Sequence, residues 1–317
     1  MRAAIRSIAP LAVMVSVGAV AQADRGMIPL VAADANISIH EPAQRAIVAW
    51  NGKTQVLILS VDVHSTGEDA KVLHFMPLPA EPTKVEEGSF DSFEAVQQAI
   101  DRRRPTWFQL RRKGGGVAQG EGEPESVEVV FHEKIGPHDI TIGKILSLDG
   151  LATWVKRFAA DARVELAPSA IESVGPIAKQ YLDAGVRYFV FDVVDIGSAE
   201  RSITPIVYEF ATSYAWYPLK VSQLAEGRTA IDLFLITPGR PDIRATRTKF
   251  DCAFYGRNLD FPVKFALKAG ELEQISPRIS AMFRGSPVLT AARYRGSTSG
   301  LTRDFQLRSR QLHPAGR

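Results

Sequence analysis

Gln44-Arg45-Ala46-Ile47-Val48-Ala49-Trp50, Asn51-Gly52, Lys53-Thr54-Gln55-Val56-Leu57-Ile58-Leu59-Ser60-Val61-Asp62-Val63-His64 is the stretch that decides the fold. Two β-rich flanks meet at Asn-Gly, a dipeptide that accepts the positive φ angles of a type I′ turn, so the stretch reads as a hairpin. Alternation sets Val56, Ile58, Ser60, Asp62 and His64 on one face and Leu57, Leu59, Val61 and Val63 on the other. The second set is the better core face. A further strand, Lys71 to Met76, runs into Pro77-Leu78-Pro79, which should end it because proline cannot donate to a ladder.

Helical periods appear beyond it. Asp91 with Glu94 fits a capping box, and Phe93, Val96, Gln97 and Ile100 follow at helical spacing as far as Arg102-Arg103-Arg104-Pro105. Leu151 to Ala162 carries one apolar stripe, Leu151, Trp154, Val155, Phe158, Ala159 and Ala162. Ser169 with Glu172 opens a helical pattern that Pro176 should kink or divide and Gly185 should stop. Lys264 to Glu273 is read as one more helix. Ser126–Glu133, His138–Leu146, Val186–Ile196, Ile203–Phe210, Trp216–Val221 and Ala230–Thr237 are short β-rich runs, and their short connections favour antiparallel pairing. The fold class expected is α+β, mainly antiparallel β-sheet with three or four packed helices.

Arg111 to Glu125 holds Gly114-Gly115-Gly116, Gly120, Gly122 and Pro124 and almost no apolar residues. It reads as a flexible loop inside one domain of residues 24–308, or as a boundary between lobes 24–110 and 126–308. Both arrangements remain open at this point.

The chain has 317 residues, 45% hydrophobic and 23% charged, with four Trp, sixteen Phe and one Cys. That composition can bury a core and excludes wholesale disorder, and one Cys excludes an internal disulfide framework. Arg2 and Arg6 precede an uncharged apolar run, Ile8 to Val20, followed by Ala21-Gln22-Ala23. This is the pattern of a secretory signal peptide over residues 1–23, cleaved before Asp24. The run is too short for a spanning helix, no lipoprotein Cys follows it, and no later segment is long and apolar enough to span. The expected localisation is periplasmic or extracellular. Without Arg2 and Arg6 the net charge of +3 falls to +1. Residues 284–317 carry seven Arg against Asp304 alone, a net of +6, which leaves about −5 for residues 24–283.

Several stretches in order resemble one family: Asp24-Arg25-Gly26-Met27-Ile28-Pro29, Glu41 to Gly52, Phe75-Met76-Pro77-Leu78-Pro79, Glu86-Glu87-Gly88-Ser89-Phe90, Gly136-Pro137-His138-Asp139-Ile140, the Trp154 helix and Tyr217-Pro218-Leu219-Lys220-Val221. The sequence is similar to the exported prokaryotic domain-of-unknown-function family 2330 over roughly Asp24 to Leu307. The resemblance implies export, one continuous domain, and a terminal strand pair within Val288–Leu307. Residues 309–317 then form a short basic tail. It supplies no activity and no catalytic residues. Members often bear paired cysteines near the mature N-terminus or a C-terminal membrane anchor, and this chain has neither.

No catalytic constellation is expected. There is no Gly-x-Ser-x-Gly elbow, and Cys252 sits among apolar neighbours as a buried thiol. No cofactor is expected either, since the Gly-rich segment lacks the strand, helix and Gly-Lys-Ser/Thr ending of a phosphate loop. His64, Asp62 and His40, in that order, are the candidate metal ligands. Glu133 and His138 flank a turn, and Asp192 interrupts an apolar run, with Asp195 on the opposite face. Arg102, Arg103, Arg104, Arg111, Arg112 and Lys113 around Trp107 and Phe108 form a candidate surface for anionic lipid or envelope polysaccharide rather than nucleic acid. Tyr208, Phe210, Tyr214 and Trp216 share one parity but are expected in the core. The leading expectation is an exported, non-enzymatic binding or scaffold module. The alternatives are a metal-dependent hydrolase using His64, Asp62 and His40, and a peripheral binder of anionic surfaces.

Overall fold

A computed structural model of the chain describes residues 26–30, 38–66, 70–103, 128–161, 168–196, 201–224, 227–252, 254–255 and 261–314. The segments read from the sequence as a signal peptide (1–23) and as a Gly-rich loop or boundary (111–125) lie outside the described residues, as do Arg104, Arg111, Arg112 and Lys113.

The first sheet has five strands, all antiparallel, in the order β1 (Gly26–Leu30), β4 (Ala70–Leu78), β8 (Tyr188–Ile196), β7 (His138–Lys144) and β6 (Glu128–Ile135). The second has nine strands. Its main path runs β14 (Asp251–Cys252), β18 (Val288–Ser297), β12 (Arg228–Thr237), β2 (Ser38–Trp50), β3 (Thr54–Thr66), β10 (Ile206–Ala211) and β5 (Pro82–Glu87). β17 (Lys264–Ala266) pairs with β18, and β9 (Arg201–Ser202) pairs with β3. Three ribbons complete the fold: β11 (Tyr214–Tyr217) with β19 (Phe305–Arg308), β13 (Arg240–Pro241) with β20 (Leu312–His313), and β15 (Phe254–Tyr255) with β16 (Phe261–Pro262). The architecture is α+β and dominated by sheet. Segments on both sides of residues 104–127 contribute strands to both sheets.

The β2–β3 hairpin forms as its sequence dictates, with a different turn. Gly52 has φ 98 while Asn51 keeps an ordinary negative φ. The loop residues are therefore Gly52 and Lys53, with only the first at positive φ, the pattern of a type II′ turn. The Asn51 side chain explains this, because its Oδ1 accepts from the backbone N–H of Lys53 (3.0 Å) and of Thr54 (2.9 Å).

Both faces of the hairpin are buried. Ala46, Val48, Leu57 and Leu59 join a large core that extends through the five-stranded sheet. Ile47, Ala49, Val56 and Ile58 join a second core, closed by α1 (Phe90–Asp101), α4 (Ala269–Ile275) and α5 (Pro277–Ala281). Sheet covered on both sides produces nearly continuous apolar runs, which is why neither face is polar over residues 56–59. In the large core, α2 (Leu148–Asp161) and α3 (Pro168–Asp183) pack on the small sheet. Trp154 lies 4.0 Å from Phe191 between ring centroids, and Tyr181 meets Phe189 edge-on at 6.4 Å. α3 is a single helix that contains Pro176.

Other elements differ locally from the sequence reading. α1 is capped by Ser89, whose side chain accepts from Asp91 N–H, rather than by Asp91. Among the described residues there are five α-helices, because the region read as one helix from Lys264 is β17 followed by two helices divided at Ser276-Pro277. Ser276 ends α4 and caps α5, with proline at the first helical position. β4 continues through Pro77, which pairs with Phe189 of β8, two residues past the point where pairing with β1 stops at Phe75. β2 and β12 run parallel, the one exception to antiparallel pairing among the described strands; most of the chain lies between them, so the short-connection rule does not reach them. β18 and β19 pair with β12 and β11 rather than with each other. Ser309 to Pro314 is held in place rather than loose, through a 3-10 turn and the β13–β20 ribbon. Among the described residues, no helix is long and apolar enough to cross a membrane.

Candidate functional site

The small sheet has an acid–base cluster at its centre. Tyr188 to Ile196 is apolar enough to run as a central strand, yet Asp192 sits within it, 0% exposed. Register places His74 of β4 directly beside Asp192. His138 of β7 pairs with Val194 and so lies diagonal to the same carboxylate. The two histidines are 1% and 2% exposed. His138 Nδ1 is 2.7 Å from Asp192 Oδ2, and His74 Nδ1 is 4.0 Å from the same oxygen.

The other nitrogen of His138, Nε2, lies 2.7 Å from the carbonyl oxygen of Thr204. A carbonyl only accepts, so Nε2 carries the proton there, and a second proton is shared between Nδ1 and the carboxylate. Both ring nitrogens thus work against protein oxygens in the buried interior. Thr204 belongs to the connection between β9 and β10, so His138 joins the small sheet to the edge of the large one. Chemically, this arrangement holds a proton and fixes two sheets together.

A related group lies on the β6–β7 hairpin. His132 Nδ1 is 2.7 Å from Thr141 Oγ1 and 3.8 Å from Asp139 Oδ1. Burial pushes the Asp139 carboxyl above its ordinary range; His132 and Lys134 pull it down, and Asp192 adds to the rise.

The residues singled out in the sequence have mixed fates. The register sets His40 directly opposite His64, with Asp62 opposite Ala43 beyond a shift in pairing. Asp62 is already engaged, accepting from Arg45 Nη2 at 3.0 Å and from the Ser202 hydroxyl. The side chains of His40 and His64 lie outside those described; among the described residues, no group of three or more His, Cys, Asp or Glu could hold a metal ion. Glu133 pairs opposite Ile140, and His138 turns to Asp192 instead. Asp195 is 75% exposed beside Lys71, on the other side of its strand from Asp192. Tyr208, Phe210 and Trp216 are core residues, and Phe210 meets Trp216 edge-on at 6.5 Å. Cys252 lies on β14, opposite Ala292.

Of the basic stretch that follows α1, Arg103 does not face outward. Its guanidinium binds both oxygens of Glu271 at 2.7 and 2.8 Å, donates to the carbonyls of Ala99 and Ala266, and lies 3.9 Å over the Phe265 ring. These bonds hold the Glu271 carboxyl down at about 2, against the opposing effect of burial. Arg102 is exposed and donates to Gln274 at 3.2 Å.

The sequence reading missed the His74–Asp192–His138 cluster as a unit. Its only signal was Asp192 breaking an apolar run; the partners come from register. An open cavity of about 350 Å³ lies elsewhere, lined by Asn51, Pro238 and residues 282–287, with Arg284 its one charged lining residue.

Among solved structures, the chain is similar in outline to baculovirus P35, at TM-score 0.43 and 8% identity, covering 86% of this chain and 97% of that one. A mutated baculovirus P35 after caspase cleavage gives TM-score 0.41 and 8% identity over 84% and 99%. The caspase-8/P35 complex gives TM-score 0.36 and 9% identity over 84% and 96%. None of the curated proteins compared matches the chain. Residues 21–266 match the family DUF2330, described as uncharacterized protein conserved in bacteria, and the chain belongs to that family.

Proposed function

We propose that the chain is an exported envelope protein that acts as a non-enzymatic binding or scaffold module, formed as one domain from residue 24 onward. The observation that carries the reading is the closure of its strongest acid–base cluster. Asp192 and both histidines are buried, and His138 spends both nitrogens on protein oxygens. A catalytic acid or base must reach a substrate proton, and this one is aimed inward. Export rests on the residue 1–23 pattern, Arg2 and Arg6 before Ile8 to Val20 and Ala21-Gln22-Ala23. The test is expression of the full chain in a bacterial host, followed by fractionation and intact mass. A mature chain beginning at Asp24 outside the cytoplasm supports the reading; an unprocessed cytoplasmic chain overturns it.

A second reading, a metal-dependent hydrolase at His64, Asp62 and His40, draws on the register that sets His40 opposite His64. Against it stands the engagement of Asp62 with Arg45. Stoichiometric metal in the purified protein, lost on His64→Ala, would favour this reading over the scaffold. Metal-free protein whose stability ignores chelator would remove it.

A further inference from the structure

The sequence places +6 of net charge in residues 284–317, and the fold brings a second basic segment beside it. Residues 240–249 and 303–314 adjoin through several bonds. Arg240 and Pro241 pair with His313 and Leu312. Gln311 Nε2 donates to the Ala245 carbonyl at 2.8 Å, and Asp242 N–H donates to the Gln311 carbonyl at 2.9 Å. Phe250, next to Lys249, packs against Phe305 at 6.2 Å between ring centroids. One face therefore carries Arg244, Arg247, Lys249, Arg303, Arg308 and Arg310, all exposed.

The two carboxylates in these segments do not neutralise that face. Asp242 caps the turn at Ala245 N–H. Asp304 accepts from Tyr181 OH and from the backbone N–H groups of Leu219 and Lys220. Neither forms an ion pair with the six cations among the described residues. Arg103 shows the contrasting case, a cation fully used by Glu271.

A separate observation concerns the backbone. Arg247 has φ 57, the one non-Gly residue at positive φ among those described. Glycine or asparagine would sit there with less strain, yet the position that ends the 3-10 turn Arg244–Thr246 presents an arginine. Arginine outnumbers lysine five to one on this face, and its planar fork suits bidentate contact with phosphate oxygens.

We propose that the face formed by residues 244–249 and 303–310 docks on an anionic phospholipid surface. The cations are spread over turns and strand ends of two chain segments, which suits a diffuse layer of headgroup phosphates rather than one small anion. Nucleic acid is disfavoured because Tyr214, an aromatic ring beside this face, already carries the Arg308 guanidinium 5.3 Å over its ring.

The experiment is co-sedimentation of the intact protein with vesicles of phosphatidylglycerol and phosphatidylcholine, against phosphatidylcholine alone. Three proteins are compared: wild type, the triple variant Arg244→Glu/Arg247→Glu/Arg310→Glu, and a control, Lys156→Glu/Arg157→Glu on α2. Melting curves establish that each variant is folded. Wild type should bind the anionic vesicles, more weakly as salt rises. Losing three cations alone should weaken binding by about a hundredfold, at roughly fivefold per charge, and the three carboxylates put in their place should weaken it further, while the control binds nearly as wild type. No binding, or binding unchanged in the triple variant, overturns the proposal. Equal weakening in the control assigns the effect to bulk charge and overturns it as well. Competition by millimolar inorganic phosphate, or tighter binding to a DNA duplex at the same salt, rejects the lipid layer as the partner. These outcomes are independent of whether the chain is processed at Asp24, which tests the scaffold reading separately.

Discussion

Asp192 in the small sheet and Glu271 beside the large one each tie together chain segments far apart in sequence, but in opposite surroundings. Asp192 meets His138 across two adjacent strands in direct contact at 2.7 Å, both side chains buried. Glu271 meets Arg103 at the rim of α1 and α4, with two parallel bonds and an aromatic ring beneath the guanidinium. The first contact is sealed and depends on its partner; lose either member and a polar group is stranded in the core. The second is only partly covered, with the Arg103 side chain 24% exposed and Glu271 10%, so it stays within reach of pH. Burial makes one connection hard to break and the other tunable.

The largest expected effect comes from breaking the sealed contact. Asp192→Ala should cost about 3 kcal/mol, because it strands the proton of His138 and leaves a void. Urea unfolding with an unchanged slope measures it, and a loss under about 1 kcal/mol would erase the distinction drawn between the two carboxylates.

Glu271→Gln should come next, at about 2 kcal/mol near neutral pH, since it removes the ionic part of the Arg103 bonds. The sign with pH follows from the carboxyl's fall from 4.5 to about 2 on folding. Its contribution is complete above about 4.5, and it drains away as pH falls toward 2. Glu86 acts in the same direction: burial alone would raise it, and hydrogen bonds from Lys84 and Arg278 bring it below its ordinary value. Melting temperature followed from pH 6 to pH 2 should therefore drop less steeply in Glu271→Gln than in wild type; parallel curves would refute the assignment.

Asp139 offers a smaller test of opposite sign. Its carboxyl is raised on folding, chiefly by burial, so the charged form costs stability at neutral pH and ceases to do so as pH falls. Asp139→Asn should raise the melting temperature slightly at pH 7, an advantage that shrinks in acid. A lowered melting temperature would mean that His132 and Lys134 outweigh burial. Least of all, Lys179→Ala should change stability by under about 0.5 kcal/mol, because its bond to Asp183 joins two side chains that are both 62% exposed.

Much of the fold is legible in the sequence where local rules act alone. Asn51-Gly52 and the alternation around it announce the hairpin, and the Trp154 stripe announces α2. What escapes is set by neighbours remote in sequence. No local rule says that α1 and α4 will cover the Val56–Ile58 side of the hairpin, or that β12 will insert parallel to β2. The site divides in the same way. Asp192 is conspicuous as a charge inside an apolar run, yet only strand register identifies His74 and His138 as its neighbours. Arg103 looks like one of a row of equivalent cations until Glu271, far along the chain, claims it.

The parallel pairing of β2 with β12 also governs the order of events during synthesis. The β2–β3 hairpin can close as soon as it is made, but the open edge of β2 must wait for residues 228–237. Until then a long, apolar strand edge lacks its partner, and such edges recruit other chains. Long-range pairing of this kind slows folding as well as delaying it. A chain that stops short of β12 would keep the middle of its large sheet as an adhesive edge, so the protein's vulnerability to self-association is greatest before its final third has emerged.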